Sequence, residues 1–160
     1  MYYTIKWNGD SVSMLDQRLL PMEEVYRTYP NYHDVAEAIT DMVIRGAPAI
    51  GIAAGMGIAL AAKKMETSDT AAFKKEMEGV FTVFGKTRPT AVNLFWTINR
   101  MRGILEGLNN IDEIRQSLEA EAVRIFEEDV KINRQIGKNG ARFLEDGDVV
   151  MTHCNAGALA

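Results

Sequence analysis

The spacing of apolar positions changes once along the chain. Up to Pro30 it is short and strand-like. Tyr2 to Trp7 is aromatic and β-branched, Asn8-Gly9-Asp10 carries a hairpin turn signal, and Ser11 to Leu15 alternates polar with apolar. A third short strand is expected over Glu24 to Tyr29. After Pro30 the apolar residues recur every three and four positions, the helical period. His33 to Ile44, Pro48 to Lys64, Thr70 to Phe84, Thr90 to Leu105 and Ile111 to Leu144 each carry such a stripe. Pro48 suits a first helical position, where its missing N–H costs nothing. Gly51 and Gly55 sit one turn apart in the second helix, which predicts close approach by another element. The fourth helix is apolar around much of its girth, so it is expected at the centre. The last helix is expected to be amphipathic, with a possible bend at Gly137, and Asp129 interrupts its apolar stripe.

The final residues change character again. Glu145 to Asp148 reads as a turn, Val149 to His153 as a short strand of the kind buried in a parallel sheet, and Cys154 to Gly157 as a strand-to-helix turn. Ala158 to Ala160 then resembles a first helical turn. A buried strand needs neighbours, and the sequence holds no others of that kind. The expectation is a chain that stops just inside a second domain; the alternative is a tail that pairs with another chain or with the N-terminal hairpin. The predicted class is α+β: a small antiparallel β-meander packed on a helical bundle over residues 1–146, then, at 147–160, the first strand of a further domain.

Composition narrows the function. With 160 residues and a net charge of −4, the chain lacks the basic stripe of a nucleic-acid binder. Its most apolar stretch, Ala49 to Ala62, is shorter than the ~20 residues a membrane span needs. The N-terminus does not read as a secretory signal, so a cytoplasmic location is expected. One Cys and two His make neither an internal disulfide nor a structural zinc site, and no cofactor or metal motif is present.

Three places could carry chemistry. Arg45-Gly46-Ala47-Pro48 leads into a helix, where free amides and the helix dipole favour an anion and the guanidinium offers a planar fork. The alternative is a corner in which Arg45 caps the preceding helix. Lys86 to Thr90 is a second basic loop before a helix; Arg88 could reach the same anion or remain a surface charge. Cys154 opens the turn after the last strand, where α/β active sites lie, although a buried structural cysteine is the commoner case. His153 would face away from Cys154. His33 reads as flanking a helix, and Trp7 and Trp96 as packing residues.

Three segments weigh on these alternatives together: VIRGAPAIGIAAGMGIALA, KTRPTAVNLFW and INRQIGKNGARFLEDGDVVMTHCNAGALA. In this order the chain resembles the methylthioribose-1-phosphate isomerases, whose superfamily includes the regulatory subunits of eukaryotic initiation factor 2B. The resemblance implies a protein about twice this length with a Rossmann-like second half. It implies an aldose–ketose isomerase of methionine salvage that needs no cofactor, converts 5-methylthioribose 1-phosphate to 5-methylthioribulose 1-phosphate and works as a homodimer. It implies a catalytic Cys154 and substrate contacts from Arg45, Gly46, Ala47 and Arg88, with the catalytic aspartate beyond residue 160. Isomerases of 5-deoxyribose 1-phosphate or ribose 1,5-bisphosphate, and a non-catalytic regulatory subunit, are the competing possibilities.

Overall fold

The computed structural model describes residues 3–160. Three strands, β1 (Ile5–Trp7), β2 (Val12–Leu15) and β3 (Tyr26–Tyr29), form an antiparallel meander in that order. Ile5 pairs with Met14 and Leu15 with Tyr26. Gly9 takes φ +92° in the β1–β2 turn, a conformation that Asn-Gly permits. Tyr2, where the first strand is predicted to begin, lies outside the described residues. The middle strand is buried along its whole length and packs on the helices, since so small a sheet is not stable alone.

Five helices follow: α1 (Tyr32–Thr40), α2 (Ala47–Lys64), α3 (Thr70–Thr87), α4 (Val92–Gly107) and α5 (Ile111–Ala141). Asn31, Asp69 and Asn110 cap α1, α3 and α5 by accepting first-turn amides. α1 ends four residues earlier than its apolar stripe suggests. Met42 adopts φ +61°, Met42 N–H donates to Ile39 O and Val43 N–H to Ala38 O, which is a Schellman stop without its usual glycine. Val43 and Ile44 remain in the core from the connecting loop. α5 runs unbroken past Gly137.

The central helix is α2, which corrects the expectation for α4. From Ala49 to Ala62 every residue of α2 is buried. α4 buries Leu94, Thr97, Ile98, Met101 and Leu105 but leaves Val92, Phe95 and Trp96 substantially exposed. The small residues of α2 explain its position. A Cβ on Gly51 would lie 3.0 Å from Asn93 O and 2.9 Å from Thr97 Oγ1, and one on Gly55 3.2 Å from Thr97 Cγ2. The α4 backbone therefore rests directly on Gly51, and the Thr97 side chain on Gly55. Advancing one turn along α2 also advances the contact along α4, so the two helices run in the same direction and begin at the same end.

α5 runs the other way. Arg115 donates to Ala62 O and Met65 O near the end of α2, whereas Ala122 and Ile125 face Gly55. Buried Glu121 joins α5 to α4 through Arg100, which also holds Glu128 at 2.6 Å. Trp7 serves as a packing group, its Nε1 donating to Glu119 at 3.0 Å. None of the described helices is long and apolar enough to cross a membrane.

Val149 to His153 forms no ladder in the structure, and Val149 and Met151 are 98% and 94% exposed. The apolar composition expected of a buried strand is present, but among the described residues no strand pairs with it.

Candidate functional site

The direction of the helices decides what lies at one end of the bundle. The heads of α2 and α4 share that end, and the second half of α5 rises past it. Arg45, Gly46 and Ala47 stand at the head of α2. Arg88 closes α3 and starts the tight turn to α4, in which Ala91 N–H donates to Arg88 O at 2.9 Å. The predicted loop from Gly85 is shorter than expected. Helix α3 continues through Gly85, whose bare face admits Phe95 and Ile98 of α4, and Thr87 caps it by donating to Phe84 O.

Both arginines are partly buried, and neither has a carboxylate partner among the described residues. The Nε of Arg45 is buried without a hydrogen bond. Arg45 therefore does not cap the C-terminus of α1, whose last carbonyls are taken by the Schellman amides. A buried N–H without an acceptor is unfavourable, and an anion at this place would supply one.

The head of α2 also carries backbone donors. Gly46 has φ +101° and is buried; a Cβ there would meet the Ala160 backbone at 2.5 Å. Glycine thus lets the last residues of the chain close over the α2 head, where Ala49 N–H donates to Ala160 O at 2.8 Å. Pro48 has no amide to offer, and the amides of Gly46 and Ala47 have no backbone acceptor among the described residues. A helix head with two open amides and an unpaired arginine beside them suits an anion.

Cys154 is exposed, with no hydrogen bond to Arg45 or Arg88 among the described residues. The turn after it nonetheless returns to the site. Gln17 Nε2 donates to Leu159 O at 2.8 Å, Thr4 Oγ1 to Ala158 O, and Ala160 N–H to Gly157 O. The tail therefore touches the N-terminal meander through side chains rather than by strand pairing. Cys154 itself has φ +63°, a left-handed conformation that costs a non-glycine residue about 1–3 kcal/mol and that functional turns often hold. His33 stacks on Tyr32 at 4.0 Å in the first turn of α1, away from these groups.

One feature of this end is not apparent from the sequence. A groove of about 450 Å³ runs between α2, α4 and α5 from Pro48 past Gly51 and Thr97 to Asp129 and Asn133. Asp129 is the residue that interrupts the α5 stripe. Burial pushes its carboxyl above the usual range, and the Asn133 amide, donating at 3.0 Å, opposes that only in part. The stripe exception was the sole signal for this groove in the sequence.

The match to known proteins is extensive. Residues 43–160 match the initiation factor 2 subunit family. Methylthioribose-1-phosphate isomerases of Thermosipho africanus and Petrotoga mobilis are 51% and 52% identical over 98% of the chain. A crystal structure of 5-methylthioribose 1-phosphate isomerase from Pyrococcus horikoshii superposes with a TM-score of 0.93 at 42% identity, covering 99% of this chain and 45% of that one. The translation initiation factor eIF-2B delta subunit from A. fulgidus superposes at 0.87 with 39% identity, covering 99% of this chain and 46% of that one. The chain spans about 45% of the length of the curated isomerases. With its matched region running from the end of α1 through both arginine-bearing helix heads to Ala160, the chain belongs to the initiation factor 2 subunit family.

Proposed function

We propose that this chain is the N-terminal portion of a sugar-phosphate isomerase that converts 5-methylthioribose 1-phosphate to 5-methylthioribulose 1-phosphate. The observation that carries the reading is the pair of unpartnered arginines, Arg45 and Arg88, beside two helix heads at one end of the bundle. Sequence identity of about 50% to curated isomerases supports the choice of substrate. Residues 147–160 begin a second, Rossmann-like domain in this reading, and Cys154 faces the cleft between the two. The enzyme is a homodimer of the cytoplasm that takes neither nucleic acid nor membrane as partner.

The reaction opens a ring whose anomeric carbon keeps its phosphate. A proton reaches the ring oxygen as the C1–O bond breaks. A hydrogen moves from C2 to C1, and the C2 hydroxyl releases its proton to leave the ketone. Arg45, Arg88 and the amides of Gly46 and Ala47 hold the phosphate through these changes, which supplies positioning. Cys154 carries one proton transfer, a task that suits a thiol near neutral pH. The second group lies outside this chain.

The likeness to the initiation-factor subunit favours a second reading, a binding scaffold without turnover. Assaying full-length protein with 5-methylthioribose 1-phosphate separates the two. Arg45→Ala and Arg88→Ala should each raise KM while turnover persists at saturation. Absence of turnover in the unaltered protein selects the scaffold, and unchanged saturation in both variants removes the shared phosphate site.

A further inference from the structure

Gln17 touches both the loop that leads to Arg45 and the segment that follows Cys154. It lies just after β2 and is 3% exposed, although glutamine is usually a surface residue. A buried amide needs partners, and those of Gln17 are distant in sequence. Its backbone N–H donates to Val43 O at 2.9 Å, two residues before Arg45. Its side-chain Nε2 donates to Leu159 O at 2.8 Å, five residues after Cys154. One residue thus ties the Arg45 loop to the Cys154 turn.

The loop that carries Gln17 is fixed from within. Asp16 is fully buried, and its carboxylate accepts from Arg18 Nε and Nη2 at 2.8 Å and from Arg27 Nε at 2.7 Å. Asp16 N–H donates to Val25 O at 2.8 Å, and Leu19 N–H to Asp16 O at 3.2 Å. None of these bonds involves the tail. The tail is short and folded on itself. Ala160 N–H donates to Gly157 O at 3.1 Å, and Cys154 and Gly157 both turn through positive φ. Thr4 Oγ1, in the residue before β1, adds a second bond to the tail at Ala158 O. Among the described residues, Thr4 and Gln17 are the side chains that hydrogen-bond to the segment after Cys154.

We propose that Gln17 is a positioning residue for the isomerisation: it holds the turn that carries Cys154 against the head of α2, and Thr4 assists it. The inference rests on the reading of Cys154 as a proton-transfer group. Turnover needs the thiol within hydrogen-bond reach of its proton, and a displacement of about 1 Å can cost about 10²-fold. The Arg45 loop meets Gln17 through its backbone N–H, which a change of side chain leaves in place. Losing the side-chain amide should therefore slow turnover and spare substrate binding, the reverse of the pattern expected for Arg45→Ala.

Steady-state kinetics of the full-length protein with 5-methylthioribose 1-phosphate test this. Gln17→Leu, which keeps the bulk and removes the donor, should lower kcat about tenfold with KM within about twofold. Thr4→Val, which leaves the Asp16 loop intact, should lower kcat about threefold with KM again within about twofold. It decides the matter alone if Gln17→Leu does not fold. Leu118→Ala controls for stability, since it opens a cavity one turn from Arg115, at the far end of α2. It should lower the urea midpoint and leave kcat within about twofold. Unchanged kcat in the folded Gln17 and Thr4 variants, a rise in KM in place of the fall in kcat, or an equal fall in kcat in Leu118→Ala overturns the positioning role. If Cys154→Ser is nonetheless inactive, the reading of Cys154 stands without Gln17. Near-native turnover by Cys154→Ser, or none by the unaltered protein, overturns both.

Discussion

Gly51 tests whether the contact between α2 and α4 is what aligns the two arginine-bearing helix heads. Glycine inside a helix costs about 0.8–1.0 kcal/mol relative to alanine, so Gly→Ala is stabilising wherever space allows. At Gly79, mid-way along α3, an added Cβ meets nothing within 4 Å. At Gly51 it would sit 3.0 Å from Asn93 O, a backbone atom, so α4 itself has to move. Overpacking of this kind costs about 1–3 kcal/mol. The helix-propensity gain is common to both substitutions and cancels in their difference. Gly51→Ala should therefore be about 1–3 kcal/mol less stable than Gly79→Ala. With a urea slope of about 1–3 kcal/mol per molar, a 2 kcal/mol difference separates the midpoints by roughly 1 M. Urea unfolding followed by circular dichroism measures it. Equal midpoints, or stabilisation by both substitutions, would refute the claim that α4 rests on the Gly51 backbone. In the full-length protein the same substitution should also weaken sugar-phosphate binding, because it displaces the Arg88 turn from the Arg45 loop.

Three other outcomes follow from named groups. Asp16 is fully buried beside Arg18 and Arg27, and the Arg18 hydrogen bonds, with Arg27 adding to them against the cost of burial, hold its carboxyl well below the usual range. A carboxyl depressed on folding stabilises the protein above its unfolded value of about 3.9 and loses that contribution as pH falls below it; the loss of stability between about pH 4 and pH 2 should therefore be shallower in Asp16→Asn, as read by urea titrations across that range. Arg45→Ala and Arg88→Ala should each weaken sugar-phosphate binding by about 1.5–3 kcal/mol, measured calorimetrically on the full-length protein. Residues 1–160 alone should show no isomerase turnover in a product assay, because the proposed reaction needs a second proton-transfer group outside this chain; turnover by this chain would relocate the proposed active site.

Element type was legible wherever the apolar period was sustained, as at β1–β2 with its Asn-Gly turn and at α5 with its long stripe. Boundaries failed where tertiary packing overrode local signals. α1 stops at a left-handed methionine that no sequence rule marks, and α3 passes through Gly85 because α4 fills the space beside it. The placement of α4 at the centre failed for a related reason: apolar girth alone does not decide burial, and the small residues of α2 permit the closer approach. The Arg45 and Arg88 loops were legible as basic segments ahead of helices. That both stand at the same end of the bundle was not, since it depends on α2 and α4 running in the same direction. The groove was hidden because its residues come from three helices separated in sequence.

Turnover of 5-methylthioribose 1-phosphate by the full-length protein, followed by NMR for the native protein and for Cys154→Ser, tests the isomerase assignment most directly. The predicted result is conversion to the ketose phosphate by the native protein and a loss of more than about 10²-fold in the variant, at unchanged fold by circular dichroism. Near-native conversion by Cys154→Ser, or no conversion by the native protein, would contradict it.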